Sequence, residues 1–239
     1  MRLSMVFALL ALVSTDLHAE GWTGTGEIGL AVSRGNSKSE TLNAKLGVIK
    51  EAERWKHTAG LQVLRVKGEV DDEFELTANR YELTGSSAYS FNAKSYAIGA
   101  IRYENDDFAP FEYQGILSLS YGYKMIDSEA TSLSFEAGPG FRRAKDRVSG
   151  EEDSSVVARG KIDYRHVITE TTALTNGFLV EAGSDNTFVQ NETGLSVKIS
   201  SSFALKTALQ VRYNSETEPG TDSTDTLFTT NLVFGFLGH

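Results

Sequence analysis

Residues 113–124, YQGILSLSYGYK, decide the fold. Tyr113, Leu117, Leu119, Tyr121 and Tyr123 fall on one side of an extended chain, and Gln114, Ser118, Ser120 and Lys124 on the other. Successive side chains of a strand point to opposite faces, so this alternation predicts a strand with one apolar and one polar surrounding. A helix would repeat every three to four residues, and no such period stands out in the chain.

The same reading extends in both directions. Upstream, Trp22, Gly24, Gly26, Ile28, Leu30 and Val32 oppose Thr23, Thr25, Glu27 and Ser33. Over 41–51, Leu42, Ala44, Leu46 and Val48 oppose Thr41, Asn43 and Lys45, and over 55–65, Trp55, Ala59, Leu61 and Val63 oppose Lys56, Thr58 and Gln62. Tyr81, Leu83 and Tyr89 alternate with Arg80, Glu82 and Thr84. Ile101 and Tyr103 alternate with Arg102 and Glu104, although Ile98 spoils the pattern of that segment. Downstream, Leu133, Phe135, Ala137, Pro139 and Phe141 oppose Ser134, Glu136 and Arg142. Val156, Ala158, Ile162 and Tyr164 then oppose Arg159, Lys161, Asp163 and Arg165. A ninth segment around Leu174–Ala182 is ambiguous, because Phe178 and Leu179 are both apolar. Leu195, Val197 and Ile199 mark a tenth, Phe203 to Tyr213 an eleventh and Phe228 to Phe236 a last. About twelve strands result, an even number, as single-chain bacterial barrels have.

Connections near 51–54, 91–94, 126–130, 167–171 and 199–202 read as short turns. Those near 34–40, 66–76, 105–112, 143–154, 183–191 and 215–223 read as longer, polar and mostly acidic loops. Short periplasmic turns and longer outside loops are the habit of outer-membrane barrels, and an even strand count then leaves both termini in the periplasm. The expected fold is therefore an all-β, antiparallel transmembrane barrel over residues 20–239, in the outer membrane of a Gram-negative cell.

The apolar faces must point outward for this to hold. Twelve strands make a barrel too wide for Gly, Ala, Leu and Val to fill, whereas long charged chains and water can occupy such a lumen. The apolar faces are nearly free of charge, Arg65 excepted, and an Arg or Lys facing lipid at mid-bilayer costs about 2–4 kcal/mol. Trp22, Trp55, Tyr89, Tyr164, Phe203 and Phe236 gather at the turn side, and Tyr103, Tyr113, Phe141 and Tyr213 at the loop side. Two such bands suit the two lipid–water interfaces. Trp22, Trp55, Tyr103, Tyr113, Phe141, Tyr213 and Phe236 are the candidate interface aromatics, with outer-membrane lipids and lipopolysaccharide as their partners.

Composition is consistent with this. The chain has 239 residues, no Cys and a formal net charge of -9, which argues against nucleic-acid binding and removes disulfides and thiolate metal sites. Arg2 followed by the apolar run Leu3–Ser14, with Leu17-His18-Ala19 before Glu20, predicts a signal peptide over residues 1–19.

Several short motifs, taken together, resemble one known family. They are GWTGTGEIG from Gly21, Gly35-Asn36-Ser37, Trp55-Lys56-His57, Arg80-Tyr81-Glu82-Leu83, Arg102-Tyr103-Glu104, Tyr121-Gly122-Tyr123, Glu136–Arg142 (EAGPGFR), Gly183–Thr187 (GSDNT) and Asn231–Phe236 (NLVFGF). The family is domain-of-unknown-function family 481, the salt-induced outer membrane protein group. The resemblance implies an outer-membrane barrel with no established reaction, inserted by the barrel-assembly machinery, and a role under salt or osmotic stress. The chain departs from the family's aromatic C-terminus, since Leu237, Gly238 and His239 follow Phe236.

The polar faces supply the candidate site. Glu27, Lys45, Arg80, Glu82, Arg102, Glu104, Lys124, Glu136, Arg142, Arg159, Lys161, Asp163 and Arg212 are the candidate lumen residues. Charges of both signs in a confined lumen pair, so the interior is expected either to plug the barrel or to line a narrow pore. An excess of cations among these faces suggests a slight preference for anions. The acidic loop residues, Asp71 and Asp72 among them, suggest at most a weak site for a hard divalent cation; no defined calcium loop is present, and no metal or cofactor is expected. His57 and His166 lie near turns, outside any hydrolase motif, so an enzyme is not expected. The expected role is envelope maintenance or narrow porin-like passage. The alternatives are a surface binding or adhesion module acting through the acidic loops, and a lipid-active enzyme.

Overall fold

The computed structural model describes residues 21–33, 39–70, 73–217 and 222–236. The segment expected as a signal peptide, Asp71 and Asp72, and Leu237 to His239 lie outside these. Twelve strands form: β1 (Trp22–Ser33), β2 (Ser39–Ala52), β3 (Trp55–Val70), β4 (Glu73–Ser90), β5 (Ser95–Asp106), β6 (Phe111–Asp127), β7 (Thr131–Asp146), β8 (Glu152–Val167), β9 (Thr172–Gly183), β10 (Thr187–Lys198), β11 (Phe203–Asn214) and β12 (Thr224–Phe236). Each pairs antiparallel with its neighbours in sequence, and β12 returns to β1, closing a barrel. Closure satisfies most of the backbone within the wall, as a segment in lipid requires, with β1 and β12 pairing from Gly24–Phe236 to Ile28–Leu232.

Register fixes the two faces. Leu61 of β3 stands opposite Leu46 and Leu83, Leu83 opposite Tyr103, and Leu117 opposite Ile101 and Phe141, giving a continuous apolar exterior. Its members are exposed: Leu117 at 61% and Leu119 at 65%. The intervening Ser118 and Ser120 are 5% and 4% exposed, on the inner face. An apolar surface this open is not a soluble protein's, because exposed apolar patches of such extent mark contact with lipid or a partner.

Aromatics ring both edges of that exterior. Tyr81, Tyr103 and Tyr113 form a row at 6.1 Å spacing across β4, β5 and β6 towards one edge. Trp55 and Tyr89 stand 5.0 Å apart at the other. Trp22, Phe141, Tyr213 and Phe236 take outward positions in the register as well. Arg65 also points outward, opposite Asn79 and therefore beyond the tyrosine row.

The closing seam is built on glycine. Gly24 and Gly26 stand opposite Phe236 and Phe234, whose rings occupy the space that a β-carbon at either glycine would need. A side chain there would force the rings off the wall. The rings in turn cover backbone that glycine leaves bare.

Strands run further than the alternation predicts. β4 begins at Glu73 and β10 at Thr187, so segments expected as loop are strand, and the β9–β10 connection is only 184–186. At the start of β4 the period persists, Phe74, Leu76 and Ala78 alternating with Glu73, Glu75 and Thr77, but acidic residues disguise it. At the start of β10 the adjacent Phe188 and Val189 break it while the hydrogen-bond ladder continues. The ambiguous ninth strand resolves with Phe178 outward, opposite Ile162, and Leu179 inward, opposite Lys161. Ile98 points inward, where it packs with Ala88 and Tyr96 in a small apolar cluster.

Candidate functional site

The inner face carries side chains that reach across the lumen. Because β5 and β9 are not neighbours in the wall, the Arg102 Nε donating to Glu181 Oε2 at 3.1 Å must cross the interior. Arg80 Nη2 donates to Gln210 Oε1 at 2.9 Å, joining β4 to β11. Arg212 of β11 pairs with Glu104 of β5, and Lys45 of β2 with Glu192 of β10. Opposite walls are thus tied together by side chains.

The pairs fall into three tiers along the barrel axis. Nearest the long 215–223 connection, Arg80, Arg102 and Arg212 meet Glu82, Glu104, Asp106 and Glu181, and Arg142 lies in the same tier without an ion pair among the described residues. Gln114 links the members, donating to Glu104 at 3.0 Å and accepting from Arg142 at 3.4 Å. Phe188, 1% exposed, lies under two guanidinium groups, with Arg102 at 4.3 Å and Arg212 at 5.0 Å from its ring centre. Its ring faces attract both cations and hold them apart. Phe111 supports Arg142 in the same way at 4.2 Å.

The middle tier joins Lys45 and Lys206 to Glu192 and Glu27, with Lys206 Nζ 2.9 Å from Glu27 and 3.1 Å from Glu192. Towards the opposite edge, Arg159 pairs with Glu136 at 3.0 Å and Lys161 with Asp163 at 2.6 Å. Tyr96 donates its hydroxyl to Glu136 at 3.2 Å. Lys124 lies near the turn edge, 3.1 Å from Asp127 and half exposed.

The most deeply buried charges belong to the first tier. In the first, Arg102, Glu104, Arg142, Glu181 and Arg212 are all 7% exposed or less. Water does not reach them, so the lumen is filled at that level. Below lies a cavity of about 570 Å³, lined by residues that include Glu82, Arg102, Glu136, Arg159, Lys161 and Glu192. The barrel is therefore a vestibule roofed by ion pairs.

Charge balances tier by tier. In the roof three guanidinium groups pair with four carboxylates, and Arg142 supplies a fourth cation held by Gln114. Two cations face two carboxylates in each of the others. The cation excess expected from the polar faces does not extend to the roof, because Asp106, expected in a loop, is a strand residue of that tier. Two inward cations near the turn edge, Arg165 and Lys198, have no ion-pair partner among the described residues.

Sequence alternation places all thirteen candidate lumen residues on the side the register turns inward. It misses the inward apolar residues Tyr96, Ile116, Val157 and Phe188. No periodic rule distinguishes an apolar residue that supports a lumen guanidinium from one that faces lipid.

Other chemistry is sparse among the described residues. The acidic groups at the loop edge are tied up singly: Glu152 by Arg143 and Tyr113, Glu112 by Lys145 at 2.6 Å. They form no cluster of metal-type ligands among those residues. His57 Nδ1 lies 3.0 Å from Ser87 Oγ on the outer face, beside Trp55. An acyl-transfer site also needs free backbone N–H groups to hold the developing oxyanion. Around Ser87 these are spent on the paired strands.

Known proteins resemble this chain as follows. The model of a family described as a protein of unknown function, DUF481, matches residues 26–236. An uncharacterized protein of Escherichia coli strain K12, YdiY, is 26% identical over 213 residues, covering 88% of this chain and 82% of its own. Among solved structures, an outer membrane channel from Pseudomonas putida F1 superposes with a TM-score of 0.52 at 11% identity, covering 90% of this chain and 94% of that one. The NanC porin gives 0.52 at 10% identity, covering 90% and 97%. The translocator domain of the autotransporter NalP from Neisseria meningitidis gives 0.50 at 12%, covering 98% and 95%. These likenesses carry the fold, which is that of outer-membrane β-barrels.

Proposed function

We propose, from the premise that this chain belongs to the DUF481 family, that it is a passive outer-membrane barrel passing small solutes through a lumen closed at rest. One observation carries this reading: the side chains of β4, β5, β9 and β11 bond across the interior and are shut away from water where they do so. The vestibule beneath, about 570 Å³ with charged side chains among its lining, has room for water and a small solute. Passage then needs the roof to rearrange. The NanC porin and the Pseudomonas putida channel, which share the fold, favour the same reading by analogy.

In this reading the wall sits in outer-membrane lipid and lipopolysaccharide, with Trp22 and Phe236 on the periplasmic edge. The barrel-assembly machinery inserts it, and the role is not enzymatic. Envelope maintenance under salt stress rests on family resemblance alone and gains nothing from the lumen.

Planar-bilayer recordings test the proposal. The wild-type barrel is expected to conduct weakly. Glu104→Ala with Arg212→Ala removes both members of a cross-lumen pair, leaving neither charge buried alone. Conductance should rise several-fold, while the gel shift between heated and unheated samples is kept. A large steady conductance in the wild type, or no rise in the double variant, would contradict the closed roof.

A further inference from the structure

One polar patch interrupts the lipid-facing wall. Asn176 of β9 lies on the face opposite the inward Glu181, and Asn191 and Thr193 of β10 on the face opposite the inward Glu192, so all three point outward. Thr193 stands directly opposite Asn176, and Asn191 opposite Phe178. Each asparagine is the fifth residue of a twelve-residue strand. Tyr213 faces Val189 on the loop side of the patch, and Phe203 begins β11 on its turn side. The amides therefore sit between the two aromatic bands. Elsewhere the outward amides and charged groups of the described wall stay at its edges, Asn105 in the tyrosine row and Arg143 beyond Phe141. Thr207, opposite Leu195 and 3.5 Å from Thr230, extends the patch onto β11 and β12.

Hydrogen bonding within the patch is loose. Asn176 Nδ2 donates to Thr193 Oγ1 at 2.8 Å and to Asn191 Oδ1 at 3.2 Å. Asn191 Nδ2 returns a bond of 3.3 Å to Asn176 Oδ1 and reaches the Gly177 carbonyl at 3.5 Å, while Thr193 Oγ1 donates to Asn191 Oδ1 at 3.3 Å. Only the first is of favourable length. Asn176 Oδ1 accepts one such bond and has a second lone pair to offer. All three side chains are only half-buried. Hydrocarbon supplies no hydrogen bond, so weakly satisfied amides at this depth are costly when they face lipid alone.

We propose that this patch is the contact through which two copies of the barrel associate side by side in the membrane. An amide both donates and accepts, so the patch complements its own copy. A two-fold axis through it sets Asn176 and Asn191 of one barrel against those of the other. The long bonds within one copy are then exchanged for bonds between copies at little loss, in a surrounding that offers the amides no competing partner. Leu195, Leu209 and Phe228, all exposed on the same face, add apolar contact around them. A second copy fits where lipid does not, since acyl chains cannot bond to an amide and headgroups stay at the level of the aromatic bands. Each barrel keeps its own lumen, so the contact does not depend on solute passage.

Sedimentation equilibrium in density-matched detergent should show a dimer of the wild type. Asn176→Leu with Asn191→Leu should raise its dissociation constant by about tenfold, with the gel shift between heated and unheated samples kept. The chain has no cysteine of its own, so single cysteines report the contact in lipid vesicles. With a short membrane-permeant bis-maleimide, Leu195→Cys or Leu209→Cys should link two copies, and Leu117→Cys, on β6 at another side of the barrel, should not. These variants leave the amides in place and decide the matter if the double leucine variant does not fold. A monomeric wild type, linkage no stronger from 195 and 209 than from 117, or a folded double leucine variant that dimerises as the wild type does would overturn the proposal.

Discussion

Single side chains set what the lumen can do, and one contrast shows how far a residue can be read from sequence. Arg102 and Glu104 are legible as inward because their neighbours Ile101 and Tyr103 alternate with them. Phe188 is not legible: nothing in TFVQ (187–190) says that its ring lies beneath Arg102 and Arg212 rather than against lipid. Its role depends on Arg102, more than eighty residues away in the chain, reaching it across the barrel to join Arg212 of the adjacent strand. Ion pairing was foreseeable, but its partners were not, since alternation gives a face and never a tier. Because the roof is neutral, selectivity falls to the free cations at the turn edge. Reversing them with Arg165→Glu and Lys198→Glu should move the reversal potential in a salt gradient towards cation preference, with little change in stability because both sites are open to water. An unchanged reversal potential would assign selectivity elsewhere.

Strands were legible where they cross lipid and not where they leave it. β6 reads from its alternation alone, while the start of β4 reads as loop because its acidic Glu73 and Glu75 continue an acidic run, although Phe74, Leu76 and Ala78 alternate with them. The seam is hidden too: β1 and β12 both look like ordinary strands, and only the register shows that they pair for part of their length. The exposed edges have a measurable consequence. In hydrogen–deuterium exchange, amides of Thr224–Thr230 and Leu30–Ser33 should exchange faster than those of Val189–Leu195, which are paired on both sides. Uniform protection around the barrel would mean that the seam is closed.

At the scale of the whole molecule, the fold follows from a division of labour between two faces. Apolar side chains satisfy lipid, the closed ladder satisfies most of the backbone, and charges pair inside, where water and each other stabilise them. Barrel, strand number and facing were all readable, because each depends on short-range alternation repeated twelve times. The filled roof and the open seam were not, because both depend on how distant strands meet. Site-directed spin labelling of cysteines at positions 117–121 tests this division most directly. Oxygen, which concentrates in lipid, should quench the labels most at 117, 119 and 121, with a polar nickel reagent showing no maximum there. Oxygen maxima at 118 and 120, or no alternation at all, would contradict it.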